Sequence, residues 1–227
     1  MRMRKKPYAR PELEACPFFV QSPCIYRGKW REQFADPEAP LYLELGCGKG
    51  GFMAQLALRE PQHNFLAIDI KDEVLIVAKR NIEAAFAPQQ PDNVRIMSWN
   101  IERLDAMLAK EDGIDGIYIN FCNPWPKSKH RKHRLTYPRQ LAIYAALMRP
   151  EAKLYFKTDD DDLFYDTQNY LQEAGWDILF LSDDFSQKSF AGNIQTEHEK
   201  MFLDVGKTIK GLVAAPHPEK ELESCNR

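Results

Sequence analysis

Five short apolar runs divide this chain, and each is followed by a stretch with helical spacing. The runs are LYLELG (41–46), NFLAIDI (64–70), VRIMSW (94–99), GIYINFC (116–122) and KLYFKT (153–158). Helices are expected over 49–59, 73–85, 103–110, 137–148 and 163–174. The stretch 73–85 shows why: Val74, Val77, Ala78, Ile82 and Ala85 fall on one helical stripe. Pro61, Pro150 and Gly175 stop three of the helices. Repeated strand–helix alternation buries both faces of a parallel sheet. The expected fold is therefore α/β: a doubly wound, Rossmann-like, seven-stranded sheet with helices on both faces. Two late runs, WDILFLS (176–182) and EKMFLDVG (199–206), show no helix between them and predict a C-terminal antiparallel hairpin. Residues 1–40 read as a basic arm with a short helix near 27–34, residues 41–213 as one domain, and residues 214–227 as a flexible tail.

In such a fold the ligand crevice lies at the carboxyl ends of the early strands. The unusual residues of this chain cluster at those ends. The first run continues as Glu44-Leu45-Gly46-Cys47-Gly48-Lys49-Gly50-Gly51. Glycines let a tight turn form and let a ligand approach bare backbone. Asp69 ends the second run at the distance expected of a ribose-binding acid. Glu44 separates two kinds of ligand. It would repel a dinucleotide pyrophosphate and attract the ammonium and sulfonium of S-adenosyl-L-methionine. The spacing E-x-G-x-G-x-G through Gly50 agrees with the second. Asn100 ends the third run, placed either to meet an adenine edge or to form a turn.

Charge is unevenly distributed. The net charge is −2, yet residues 1–10 and 127–139 hold eleven of the 31 Lys and Arg residues and no acid. An otherwise acidic body with two basic segments suits a directed polyanion site. The second segment follows the fourth run directly, as Asn123-Pro124-Trp125-Pro126-Lys127 and then SKHRKHR. The prolines restrict Asn123 and Trp125 to few conformations. That arrangement suits a preorganised reacting geometry beside a nucleic-acid backbone.

Other features point away from alternative classes. The five cysteines are scattered without metal-ligand spacing and read as reduced thiols. Neither the histidines nor Asp159–Asp162 form a metal pattern. The N-terminus has no apolar core of a secretory signal, and no run is long enough to span a membrane. A cytoplasmic protein without a metal is expected, as a monomer or homodimer.

The motifs LELGCGKGGF, NFCNPWPKSKHRKHRLT, FKTDD and TEHEKMF together resemble the bacterial tRNA (guanine-N7)-methyltransferases over roughly residues 40–206. The resemblance implies methyl transfer from S-adenosyl-L-methionine to N7 of a guanosine in the tRNA variable loop. It implies a cofactor site of Glu44, Gly46, Gly48, Gly50, Asp69, Asn100 and Asn123. It further implies guanosine contacts from Lys127, Asp159 and the segment Thr196 to Glu199, with RNA contacts from Lys129, His130, Arg131, Lys132, His133 and Arg134. Two positions depart from the family pattern. Asp69 replaces a usual Glu, and Asn123 replaces the Asp generally assigned as catalytic. Asn123 is still expected to act catalytically, by orienting the reactants. The Asn-Pro-aromatic order also partly resembles the amine-polarising loop of adenine-N6 enzymes. A catalytically weak RNA-binding relative is a further reading of Asn123. A nicotinamide oxidoreductase is disfavoured by Glu44.

Overall fold

The computed structural model describes residues 5–190 and 192–217. A single sheet runs through it, made of β1 (Leu41–Leu45), β2 (Asn64–Asp69), β3 (Val94–Ser98), β4 (Ile114–Asn120), β5 (Met148–Thr158), β6 (Trp176–Ser182) and β7 (Lys210–Pro216). Its order is β3-β2-β1-β4-β5-β7-β6. The first five strands are parallel, and β7 lies antiparallel between β5 and β6. The helices are α1 (Ala9–Glu14), α2 (Gly51–Arg59), α3 (Asp72–Phe86), α4 (Pro138–Leu147), α5 (Asp161–Glu173) and α6 (Glu197–Asp204). Strand pleating divides the core. Leu41, Leu43 and Leu45 face a layer with Trp30, Tyr144 and Leu171. Across the sheet, Phe65 and Ala67 pack with Leu56, Ile76 and Ile82 of α2 and α3.

Four local expectations are corrected. The segment 27–34 holds only the 3-10 turn Arg31–Gln33, whereas α1 forms earlier, where no helix was expected. The expected helix over 103–110 is replaced by the 3-10 turns Ile101–Ala106, kinked at Arg103, and Lys110–Asp112. Buried Asp112 explains the second turn: its carboxylate accepts from the amides of Gly28 (3.0 Å), Trp30 (2.9 Å) and Ala109 (2.8 Å). Three backbone donors on one carboxylate outweigh the helical spacing.

The run 199–206 is helical rather than extended. Thr196 and Glu199 form a capping box, the Thr196 hydroxyl accepting from the Glu199 amide at 3.0 Å. The last strand is instead Lys210–Pro216. It is inserted between β5 and β6, and packing fixes the size of one of its residues. A Cβ at Gly211 would meet the Phe185 ring at 2.2 Å. The strand therefore takes in Ala214–Pro216 from the expected tail, while 218–227 lie outside the described residues.

The N-terminal segment is docked on the domain. The Trp30 indole is fully buried and donates to the Met107 carbonyl at 2.7 Å. Arg31 reaches Asp115 at 2.7 Å. Beyond the edge of β3, the Val20 amide donates to the Ile96 carbonyl and the Ile96 amide to the Phe18 carbonyl, both at 2.9 Å.

Candidate functional site

β1 and β4 are neighbours where the strand order reverses, so the loops leaving them diverge and open a crevice. The cavity there measures about 600 Å³, a size typical of small-molecule sites. Glu44 lines it and is only 2% exposed. One carboxylate oxygen accepts from the Asn120 amide at 3.4 Å; the other is buried with no hydrogen-bond partner. Burial pushes its pKa up to about 8, against the pull of Asn120 and Lys157. A buried acceptor left without a donor is costly. Facing a cavity, it fits a ligand that brings an ammonium group.

The glycine loop is organised from behind. The Gly46 and Cys47 amides both donate to the Ile68 carbonyl, at 2.8 and 3.0 Å. The Gly48 amide donates to Asp69 Oδ2 at 3.1 Å, and the Lys71 amide to Asp69 Oδ1 at 3.0 Å. Asp69 is thus held by its own loops, its pKa raised by burial, and each oxygen keeps a lone pair for a ribose hydroxyl. Gly50 has a packing role that its spacing did not reveal. Its φ is +73°, and a Cβ there would lie 2.8 Å from Ala78 Cβ on α3. Asn100 lines the cavity and caps the following turn, accepting from the Glu102 amide at 3.0 Å. Both sequence readings of Asn100, turn and ligand contact, are compatible with that position. Glu44, the glycines, Asp69 and Asn100 line one cavity, and their donor set fits S-adenosylmethionine as a group.

The opposite wall is loop. β4 ends at Asn120, and the chain then passes through two left-handed residues, Phe121 (φ +52°) and Trp125 (φ +45°). Such a conformation is uncommon for aromatic side chains. Asn123 Oδ1 stabilises the turn by accepting from the Trp125 amide at 3.1 Å. Trp125 lies beside His130 and His133, with ring centroids 5.7 and 5.5 Å away. His133 lines the cavity and meets Glu102 at 2.7 Å. Thr196, Glu197 and His198 complete the wall, and the His198 ring stacks on Phe121 at 5.9 Å. Phe121 and Glu102 were not singled out from the sequence; their partners His198 and His133 lie far away along the chain.

The remaining expected residues divide into groups. Lys127, Lys129 and Lys132 are exposed on or next to the 3-10 turn Ser128–His133. Arg131 is partly exposed and meets Asp166 at 3.2 Å. Arg134, expected at the RNA face, is not on the exposed side of the run. It is fully buried, donating to the Pro124 carbonyl at 2.7 Å and to Asp166 at 2.5 Å. Lys127 and Asp159 lie outside the cavity lining, and Asp159 pairs with Lys207 at 3.1 Å. Glu199 is 4% exposed and turned towards Lys157 rather than into the crevice.

The strand order and the glycine loop under a buried acid define a Rossmann-like methyltransferase that uses S-adenosylmethionine. Similar folds include the 16S rRNA methyltransferase KamB, at TM-score 0.60 and 17% identity, covering 83% of this chain and 91% of that one. Residues 38–212 match the family described as "Putative methyltransferase". Several curated relatives carry the same name. The tRNA (guanine-N(7)-)-methyltransferase of Clostridium beijerinckii is 54% identical over 94% of this chain and 98% of its own length. That of Clostridium perfringens strain SM101 is 50% identical over 94% and 99%. That of Clostridium acetobutylicum is 44% identical over 94% and 99%. The chain belongs to the bacterial tRNA (guanine-N7)-methyltransferase family.

Among the described residues no group of three or more His, Cys, Asp or Glu is placed to hold a metal ion, and no helix is long and apolar enough to cross a membrane.

Proposed function

We propose that this protein methylates N7 of a guanosine in the variable loop of tRNA, in the cytoplasm. One observation carries the reading: a single crevice joins the unpaired buried oxygen of Glu44 to the Asn123–Trp125 turn, with a run of exposed lysines beside it. S-adenosylmethionine, when bound, supplies a methyl group on a sulfonium. Glu44 would hold its ammonium, Asp69 its ribose, and Asn100 would offer its amide nitrogen. Guanine N7 carries a lone pair and no proton, so its attack needs alignment rather than a general base. Asn123 suits that task. Its Oδ1 holds the turn through the Trp125 amide, and its residue lines the crevice, where its NH₂ can donate. It brings no negative charge to a guanine that becomes cationic, which lowers the electrostatic contribution at this position.

The basic segments support a polyanionic substrate. Lys127, Lys129 and Lys132 are exposed at one rim. Lys6 donates to the Glu73 carbonyl at 3.3 Å in the first turn of α3, next to cavity-lining Val74. That contact brings the N-terminal arm to the same end of the sheet.

Labelled S-adenosylmethionine and unmodified tRNA, followed by nucleoside analysis, test the reading. The expected product is 7-methylguanosine. A methylated adenine, or no transfer to tRNA, would remove it. Asn123→Asp should keep the turn, because a carboxylate accepts from the Trp125 amide equally well. Transfer by that variant should be up to about tenfold faster, as expected for a restored charge at a partly exposed position.

A further inference from the structure

Behind the α6 corner lies a cation that the proposed chemistry does not use. Lys157 stands next to the end of β5 and is 1% exposed. Its ammonium donates to Asn193 Oδ1 at 2.9 Å, the Ile194 carbonyl at 2.8 Å and Glu199 Oε2 at 2.8 Å. An ammonium has three protons, and all three are used. Every acceptor belongs to one stretch, 193–199, between β6 and β7. Stability alone gives little reason for such a pair, because a buried ion pair is often matched by apolar residues of similar volume. Its value lies in fixing one geometry.

That geometry connects both sides of the crevice. Lys157 is the register partner of Asn120, whose side chain donates to Glu44. The Phe121 amide donates to the Lys157 carbonyl at 2.9 Å. On the far side, the Glu199 oxygen held by Lys157 also accepts from the Thr196 amide at 3.4 Å. The ammonium therefore secures the capping box that starts α6. From that start Thr196, Glu197 and His198 enter the cavity wall.

We propose that Lys157 is a positioning residue: acting through Glu199, it fixes the Thr196–His198 corner over the guanosine side of the crevice. This reassigns Glu199 from a substrate contact to the handle by which the corner is held. The proposal rests on the methyl-transfer reading above.

The test uses the full chain with Lys157→Met, Lys157→Arg, Glu199→Gln and the Met/Gln double variant. A Gln at position 199 can still close the capping box, so Glu199→Gln removes the ion pair while keeping the helix start. It carries the test if Lys157→Met does not fold. Three quantities are read: the single-turnover transfer rate to saturating tRNA, the S-adenosylmethionine dissociation constant, and amide exchange over 196–204. In Lys157→Met and Glu199→Gln the rate should fall by about 10²-fold, the scale expected for a misplaced reactant. Cofactor affinity should stay close to wild type, and exchange over 196–204 should rise. The double variant should lose no more than the worse single one, because both break one pair. Lys157→Arg should recover part of the rate. A wild-type rate in a folded Lys157→Met or Glu199→Gln protein, unchanged exchange, or a loss confined to cofactor affinity would each overturn the proposal. If the wild-type protein itself transfers no methyl to tRNA, the functional reading falls. Amide exchange then still decides whether Lys157 holds the corner.

Discussion

One wall of the crevice is regular structure and the other is loop. On the β1–β2 side, Glu44 and Asp69 sit at strand ends, and backbone amides hold the glycine turn. On the other side, the residues that shape the wall come from a strained turn after β4 and from the start of α6. The first wall is positioned by the sheet itself. The second is held by side chains: Arg134 under the Pro124 turn, Asn123 across it, and Lys157 beneath α6. On the proposed reading, a cofactor shared by many enzymes meets the part set by strand geometry, and a particular substrate meets the part set by individual contacts, which can change without disturbing the sheet.

The largest expected effect concerns Arg134. If the basic run is anchored from within, Arg134→Ala should lower unfolding stability by about 3 kcal/mol, because Asp166 and the Pro124 carbonyl lose a buried donor. Lys132→Ala, an exposed change in the same run, should stay within about 0.5 kcal/mol. Urea unfolding of both variants decides it, and equal stabilities would erase the distinction between anchor and rim.

Glu44 tests the opposite wall. Its pKa is pushed up to about 8 in the free protein, so it is mostly neutral at pH 7. An ammonium beside it favours the carboxylate, so cofactor binding at pH 7 should release about one proton. Calorimetry in buffers of different ionisation enthalpy should detect that proton at pH 7, and neither at pH 9 nor in Glu44→Gln. The sign for stability follows from the same shift. The folded pKa lies above the ordinary 4.5, so this contribution is complete below about 4.5 and is lost as pH rises through about 8. Without ligand, wild type should therefore lose more stability than Glu44→Gln over that interval.

The smallest effect belongs to the rim. Lys129→Ala or Lys132→Ala should reduce the salt dependence of tRNA binding by about one phosphate contact each, leaving cofactor affinity unchanged. A salt slope that stays the same would remove these lysines from the RNA face.

The contrast also explains what the sequence could tell. Four of the five expected strand–helix alternations, the glycine turn and Asp69 are local signals that appear where their spacing placed them; the helix over 103–110 does not form. Arg134 looked like its neighbours in SKHRKHR because nothing local marks the buried member of a charged run; its partner Asp166 lies 32 residues away. EKMFLDVG read as a strand because the start signal of its helix, the capping box of Thr196 and Glu199, lies mostly upstream of that run. GLVAAP was read partly as tail because Ala214, Ala215 and Pro216 carry no strand signal of their own; their pairing partners on β5 and β6 lie far away along the chain. Lys157 showed no signal, since its three acceptors come from a segment whose path the sequence did not predict.

The contact between the 18–20 segment and Ile96 has a consequence for handling the protein. β3 is the last strand on its side of the sheet. Its outer backbone groups are partly taken by Phe18 and Val20. A fragment trimmed to the 38–212 family match would keep β1 to β6 whole, cut β7 after Leu212 and lose that cover. It would present a row of open amides and carbonyls to the next molecule, a template for intermolecular strand pairing. The N-terminal segment therefore also serves as the guard of a sheet edge, and solubility rather than chemistry should be the first property lost without it.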